Sequence, residues 1–230
     1  MHLRRYPAAT ARFQMAEDQR RFNHYEQSSF GRAAHSAAEP FMRYYVWQQP
    51  SITLGYRQAA LQPYYVSEKG FRPEQVAVRP TGGGIVEHQP GELTYALFLP
   101  VHLLPVENME TLFKRLSQPL LSALTDFGVN AYLQSHAHDE EQGHTDLYAL
   151  CFSGSQGYEI GVEGKKVLGQ AQRMGRRVFL AQGTFQNLGI TPENYDAFVR
   201  AWEKKIEEAL RAWGANPRAS ALCMPSQARV

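Results

Sequence analysis

Cysteine is scarce in this sequence: only two of the 230 residues, Cys151 and Cys223, are cysteines, and they lie far apart. Two distant cysteines make no disulfide framework, so we expect a reduced, cytoplasmic setting and a free thiol available for chemistry. Long apolar runs are missing too, since none approaches the roughly 18 residues that a membrane span needs. The opening residues, 1–6, carry charges without an apolar core, so we do not expect a secretory signal.

An excess of one charge is also absent. The chain has 24 Lys and Arg against 22 Asp and Glu, a formal net charge of +2 that is spread along the sequence. This balance does not favour a nucleic-acid partner. With 43% apolar residues, the chain is long enough to bury a sizeable core, and we expect residues 1–214 to form a single domain followed by a tail, 215–230. The stretch 136–146 is rich in His, Asp and Glu but lacks ordered ligand spacing, so we expect no metal site.

Helical periodicity appears in two places. Leu112, Leu116, Leu120 and Leu124 recur within 109–127, which predicts an amphipathic helix there. A closing helix is predicted from Thr191-Pro192 to Gly214, with a stripe of Phe198, Trp202, Ile206, Leu210 and Trp213. An opening helix is expected over 12–27, although its stripe of Phe13, Ala16, Arg20 and Asn23 is only weakly amphipathic.

Short β-branched and aromatic segments predict strands. They cover 41–47, 51–54, 76–78, 85–87, 93–99, 147–152, 158–162, 166–171 and 178–185. Several of them form hairpins, for example across the Glu163-Gly164 turn. We therefore predict an α+β fold with mainly antiparallel sheets and flanking helices, in preference to a doubly wound parallel sheet.

Three consecutive glycines, Gly82 to Gly84, lie between two apolar runs in the stretch Val78–His88. Glycine loses more conformational entropy on folding than any other residue, so such a triplet indicates a backbone with positive φ or a close approach by another group. Arg79 adds a cation, and exposed amides beside a guanidinium would suit a phosphate, a carboxylate or a developing oxyanion. A purely structural turn would use the same glycines.

Three blocks of the sequence, in order, resemble the lipoate-protein ligase and octanoyltransferase superfamily. The glycine stretch RPTGGGIVEH (79–88), followed by GELTY (91–95), is similar to the superfamily's glycine loop, and GKKVLGQAQR (164–173) is similar to its lysine motif. PSITLGYRQ (50–58) is a weaker match to an early strand and turn of the same domain. The resemblance implies the mixed α+β catalytic domain that this superfamily shares with biotin ligases.

Members of this superfamily use one of two chemistries. Ligases activate free lipoate with ATP and Mg²⁺ through an acyl-adenylate, whereas transferases pass an octanoyl or lipoyl group through a cysteine thioester and require no cofactor. The segment around Cys151 resembles the cysteine-dependent octanoyltransferase branch, which implies Cys151 as the nucleophile and Lys166 as the group that lowers its pKa. On the residues alone, Cys151 also fits a small buried apolar side chain, and Lys166 a solvated strand lysine.

The resemblance also implies a set of substrate-binding residues. These are Arg79, Thr81, Gly82, Gly83, Gly84, Ile85, Val86, His88, Gly169 and Gln172. Two departures from the family pattern stand out, since the usual His-Asp after the glycine loop is His88-Gln89 here and the usual His-Gly-Thr is Gln182-Gly183-Thr184. Neither departure removes a nucleophile.

The function that these features imply is acyl transfer in protein lipoylation. We expect an octanoyl or lipoyl group to pass from a loaded acyl carrier protein through Cys151 to a lysine of an apo lipoyl-type domain, with no nucleic-acid or membrane partner. One alternative is an ATP-dependent lipoate-protein ligase in which Lys166 contacts the acyl-adenylate and Cys151 is structural. Another is a non-catalytic relative that binds lipoate or an acyl carrier.

Overall fold

The computed structural model of the protein describes residues 1–28, 39–105, 108–135 and 158–214. Its strands are β1 (His2–Arg5), β2 (Phe41–Val46), β3 (Ser51–Leu54), β4 (Val76–Val78), β5 (Val86–His88), β6 (Leu93–Pro100), β7 (Ala131–Ser135), β8 (Tyr158–Val162), β9 (Lys165–Lys166), β10 (Leu168–Met174) and β11 (Val178–Phe185). Its helices are α1 (Ala11–Gln27), α2 (Gln62–Ser67), α3 (Met109–Asp126) and α4 (Tyr195–Gly214).

The strands form three sheets. The largest has the order β1-β2-β6-β11-β10 and is antiparallel except for the parallel pair β1 and β2. In the second, β3 lies between a parallel β4 and an antiparallel β5, and the third is the antiparallel set β7-β8-β9. This arrangement, with helices packed against mixed sheets, confirms the predicted α+β fold class.

The central strands of the large sheet are covered on both faces. All positions of β6 and β11 are buried. On one face Leu97 and Phe179 join the leucines of α3 and the aromatic residues of α4, and on the other Phe98 and Leu180 pack against Phe22 and Tyr25 of α1. These strands are therefore apolar at most positions, because neither face meets water.

Most predicted elements agree with the structure to within a residue or two, and the differences have local causes. The strand expected over 166–171 is divided at Val167, whose NH donates to Ile160 of β8 and whose carbonyl accepts from Gln186, so Val167 joins two sheets. The closing helix begins at Tyr195 after a short 3₁₀ turn, Pro192–Asn194. Strands β1 and β7 and helix α2 were not predicted, and the strand expected over 147–152 lies outside the described residues.

The stripe predicted for the opening helix is wrong. Phe13 is 47% exposed, and the buried face of α1 instead includes the polar residues Gln14 and Asp18. Asp18 Oδ1 lies 2.9 Å from Arg43 Nε, in a pair that is almost fully buried, and Arg43 Nη2 donates to the side-chain oxygen of Gln14 at 2.6 Å. The helix is weakly amphipathic because its inner face meets a buried charge.

The Asp18–Arg43 pair gives a test of this packing. Asp18→Asn leaves the Arg43 cation buried without its carboxylate, so we expect the free energy of unfolding in urea to fall by about 3–5 kcal/mol. The double variant Asp18→Leu/Arg43→Met removes both charges and should unfold at a higher urea concentration than Asp18→Asn. A single variant as stable as the wild type would show that the pair is not an ion pair in solution.

Candidate active site

The glycine loop, residues 79–85, connects β4 to β5, and both of these strands pair with β3. Arg79 shapes the loop from inside, since its Nη1 donates to the carbonyl and the hydroxyl of Thr53, each at 2.8 Å. Its Nη2 donates to the carbonyls of Gly82 at 3.0 Å and Gly84 at 2.6 Å. The guanidinium therefore holds the loop's own backbone, and its contact with a substrate stays a prediction.

The backbone of the glycine loop is closely packed on both sides. A Cβ at Gly55, just after β3, would lie 2.2 Å from the carbonyl oxygen of Gly83. Gly83 itself has a φ of +85°, and a Cβ there would lie 3.3 Å from Cβ of Ala171 on β10. Gly83 thus shows both features that the sequence predicts for the glycine triplet, a positive φ and a close approach by another group. The sequence analysis did not predict the need for glycine at position 55.

A buried polar chain ties the loop to the opening helix. The hydroxyl of Thr81 donates to Gln182 Oε1 at 2.7 Å, and Gln182 Nε2 donates to Asp18 Oδ2 at 2.6 Å. Burial raises the pKa of Asp18 to about 6, against the opposing effects of Arg43 and Gln182, so the carboxylate is ionised at neutral pH. The amide of Gln182, at a position where the resemblance leads one to expect histidine, accepts from Thr81 and donates to Asp18 at once.

His88 lies next to Thr53, the residue that Arg79 also contacts. Its Nε2 is 2.8 Å from Thr53 Oγ1, and its ring stacks on Trp47 with a centroid distance of 3.9 Å and an interplanar angle of 21°. Burial, assisted by the Arg79 charge, holds the pKa of His88 well below its usual value. The imidazole is therefore neutral across the physiological range of pH.

Two cavities meet at Arg79 and Met15. The smaller, about 20 Å³, is bounded by residues that include Trp47, Val86, His88, Gly169 and Gln182, and it has room for little more than one water molecule. The larger, about 850 Å³, is an open groove lined by α1, Tyr56, residues 76–80 and Gln172–Met174. Met15 has a flexible thioether side chain, so a shift of Met15 is a low-cost way to enlarge the small cavity.

Lys166, at the end of β9, pairs with Glu159 of β8. Its Nζ lies 2.5 Å from Glu159 Oε1, and both side chains are largely buried. Lys165, in contrast, is exposed, and the functional role of Lys166 stays a prediction. The carboxylate partner was not predicted: Gly161 is the residue opposite Lys166 in the hairpin, and Glu159 lies two residues before it on the same strand.

The structure brings most of the predicted site residues to one region. Val86, His88 and Gly169 border the small cavity, Gln172 borders the groove, and Arg79 borders both. Thr81, Gly84 and Ile85 are buried in the loop itself. Cys151 lies outside the described residues, so its position relative to Lys166 stays a prediction. The residues at these contacts that sequence reasoning missed are Thr53, Gly55 and Glu159.

Two further findings concern the described residues alone. None of the His, Cys, Asp and Glu side chains in these ranges form a group of three or more that could hold a metal ion. Within the same ranges, no helix has the length and apolar character needed to cross a membrane.

Comparison with known proteins supports the reading of the three sequence blocks. The family model of the lipoyl protein ligase A/B catalytic domain matches residues 11–217. The chain belongs to this family. Proteins named octanoyltransferase LipM are similar to it: that of Symbiobacterium thermophilum is 32% identical over 154 residues, or 66% of this chain and 56% of the relative. The octanoyltransferase LipM of Kyrpidia tusciae is 32% identical over 186 residues, which is 77% of this chain and 66% of the relative.

Solved structures described as lipoate protein ligases have a similar fold. A putative lipoate protein ligase from T. acidophilum with bound lipoic acid superimposes with a TM-score of 0.62 at 18% identity, covering 91% of this chain and 86% of that one. A lipoate-protein ligase A bound with ATP superimposes with a TM-score of 0.60 at 18% identity, covering 91% of this chain and 84% of that one. The chain spans less than two thirds of the length of the LipM relatives described above.

The close contact at Gly55 gives a test of the loop's packing. Gly55→Ala places a methyl group against the carbonyl of Gly83, so we expect a loss of about 1–3 kcal/mol of stability and faster hydrogen exchange in residues 79–88, measured by mass spectrometry. Gly214→Ala is the control, because a Cβ there meets nothing within 4 Å. Equal exchange in both variants would contradict the close packing.

Proposed function

We propose that this chain transfers an octanoyl or lipoyl group from an acyl carrier protein to a specific lysine of a lipoyl-type domain, through a thioester on Cys151. The observation that carries the proposal is the similarity to proteins named octanoyltransferase LipM, at 32% identity, together with Cys151 and Lys166 at the positions that the cysteine-dependent branch implies. The solved lipoate ligases share 18% identity with this chain and support the fold alone.

The chemistry proceeds in two acyl transfers. In the first, the Cys151 thiolate attacks the donor thioester, the bond from the carbonyl carbon to the donor sulfur breaks, and the donor leaves as a thiol after taking up a proton. In the second, the neutral ε-amine of the acceptor lysine attacks the Cys151 thioester, an amide forms, the amine loses a proton and the Cys151 thiolate is released. ATP is unnecessary because the donor thioester is already activated.

The Lys166–Glu159 pair would govern the reactivity of the thiol. A free cysteine has a pKa of about 8.5 and is only partly ionised at neutral pH, and a nearby ammonium favours the thiolate. Glu159 fixes the position of the Lys166 ammonium and at the same time opposes its field. The two residues would thus set the thiolate fraction jointly.

The acyl chain would occupy the space beside the glycine loop. Burying its methylenes contributes about 0.8 kcal/mol each, or roughly 5 kcal/mol for an eight-carbon chain. The 20 Å³ cavity behind Arg79 is too small for the chain as it stands, so we propose that Met15 moves when the chain binds and joins this cavity to the groove. Backbone amides of the glycine loop would then face the developing oxyanion.

Intact-mass spectrometry tests the thioester. Incubation with octanoyl-acyl carrier protein and an apo lipoyl domain, without ATP, should give a hydroxylamine-sensitive octanoyl adduct on the wild type and an octanoylated acceptor. Cys151→Ala should lose both products because it lacks the nucleophile, whereas Cys223→Ala, the matched control, should retain them.

The same assay separates the alternatives. Acceptor modification that appears only with ATP and free lipoate, and that survives Cys151→Ala, would replace the proposal with an ATP-dependent ligase. No modification of the acceptor under either condition would indicate a non-catalytic binding protein.

The rate of alkylation as a function of pH tests the roles of Lys166 and Glu159. In a Cys223→Ser background Cys151 is the single thiol, so its iodoacetamide reactivity reports one pKa. Lys166→Met should raise that pKa and Glu159→Gln should lower it, each by on the order of one unit, whereas the exposed Lys165→Met should leave it unchanged. Equal pKa values in all four proteins would place Lys166 away from the thiol.

A further inference from the structure

We propose that Glu92 is a positioning residue whose carboxylate selects the tautomer of His88 and, through Thr53 and Arg79, fixes the glycine loop. The starting point is the Thr53 hydroxyl, which accepts a hydrogen bond from Arg79 Nη1 and lies 2.8 Å from His88 Nε2. Arg79 in turn holds the carbonyls of Gly82 and Gly84. A change at His88 therefore reaches the loop through two hydrogen-bonded groups.

The tautomer of His88 decides how this contact is made. If Nδ1 carries the proton, Nε2 accepts from the Thr53 hydroxyl, and the Thr53 oxygen keeps its lone pairs for Arg79. If Nε2 carries the proton, it becomes a second donor to the Thr53 oxygen, so that His88 and Arg79 occupy both lone pairs and the Thr53 hydroxyl hydrogen must find another acceptor. The first arrangement gives an unbroken chain from Arg79 through Thr53 to His88.

Glu92 supplies the acceptor that the first arrangement needs. Its Oε2 lies 3.5 Å from His88 Nδ1, and the two side chains are 14% and 3% exposed. Both atoms are buried, and in the described part of the chain neither makes a hydrogen bond. The Nδ1–H of His88 would be the donor and the ionised carboxylate of Glu92 the acceptor in one hydrogen bond. The stack on Trp47 keeps the His88 ring in the plane that allows this contact.

Protonation of Glu92 would reverse the preference of His88 for the Nδ1–H tautomer. Burial raises the pKa of Glu92 to about 7, against hydrogen bonds from the Gln89 backbone and the Gln186 side chain. Other groups near the pair are Arg79, which disfavours a charged His88, and Tyr195 of α4, whose pKa is raised by burial and, to a smaller extent, by Glu92. Below pH 7 the carboxyl hydrogen would be donated to Nδ1, and the proton of His88 would lie on Nε2.

Long-range ¹H–¹⁵N correlation spectra of the full chain test the tautomer directly, with His88→Asn used to assign the signal among the eight histidines. The wild type should show Nδ1–H at pH 8 and change to Nε2–H at pH 6. Glu92→Gln keeps an oxygen that accepts from Nδ1–H but does not titrate, so it should show Nδ1–H at both values. Glu92→Met removes the acceptor and should lose the Nδ1–H preference at pH 8.

Hydrogen exchange of residues 79–88 at pH 8 provides the second readout. Glu92→Met should speed exchange in the loop, Glu92→Gln should restore the wild-type rate, and Glu87→Met should leave it unchanged because the Glu87 side chain, on the strand that carries His88, is exposed. A wild-type tautomer that is the same at pH 6 and pH 8, or a Met variant with wild-type tautomer and exchange, would overturn the inference.

The catalytic consequence rests on the proposed function. In the octanoyl transfer assay at pH 8, Glu92→Met should lower kcat roughly tenfold or more, because misplacing a positioning loop weakens transition-state contacts, and Glu92→Gln should restore it. If the wild type transfers no acyl group, the proposed function fails, while the spectra and the exchange rates still decide the role of Glu92.

Discussion

The hydrogen bonds from Arg79 to the glycine loop are the interaction on which the site depends. A stretch with three glycines loses much conformational entropy when it is ordered, and the guanidinium offsets part of this loss by binding two of the loop's carbonyls and both oxygens of Thr53. Arginine suits this role better than lysine, since its planar group points several donors in fixed directions. The loop is consequently shaped before any substrate arrives.

The cost of this arrangement is a set of polar groups buried behind the loop. Thr81, Gln182 and Asp18 form a continuous chain, and Asp18 is paired with Arg43 in a region with almost no solvent. A buried ion pair adds little to stability relative to an apolar pair of similar volume. Its role here is to connect α1 to the sheet, since Asp18 contacts both Gln182 of β11 and Arg43 of β2.

The sequence predicts the parts of this protein that depend on local pattern. The leucine period of α3, the apolar strands β6 and β11 and the glycine loop all follow from neighbouring residues and from the three family blocks. What the sequence did not reveal depends on contacts between distant residues. Gly55 is required by the Gly83 carbonyl, the inner face of α1 is polar because Arg43 lies opposite it, and the strand at 166–171 divides because Val167 bonds to two sheets.

Two described cations, Arg79 in the glycine loop and Lys166 on β9, share one property: each is held by fixed oxygens. Arg79 is bound by carbonyl dipoles and Lys166 by the Glu159 carboxylate. In a region of low dielectric such pairs reorganise little during a reaction, which favours a charge that develops in the transition state. Because each cation is paired with oxygens, the electric field at a reacting group is the difference between the fields of opposite charges. Titration of Glu92 would therefore change that field more than the net charge suggests, and the pH at which the site works would depend on this carboxylate as well as on the proposed nucleophile.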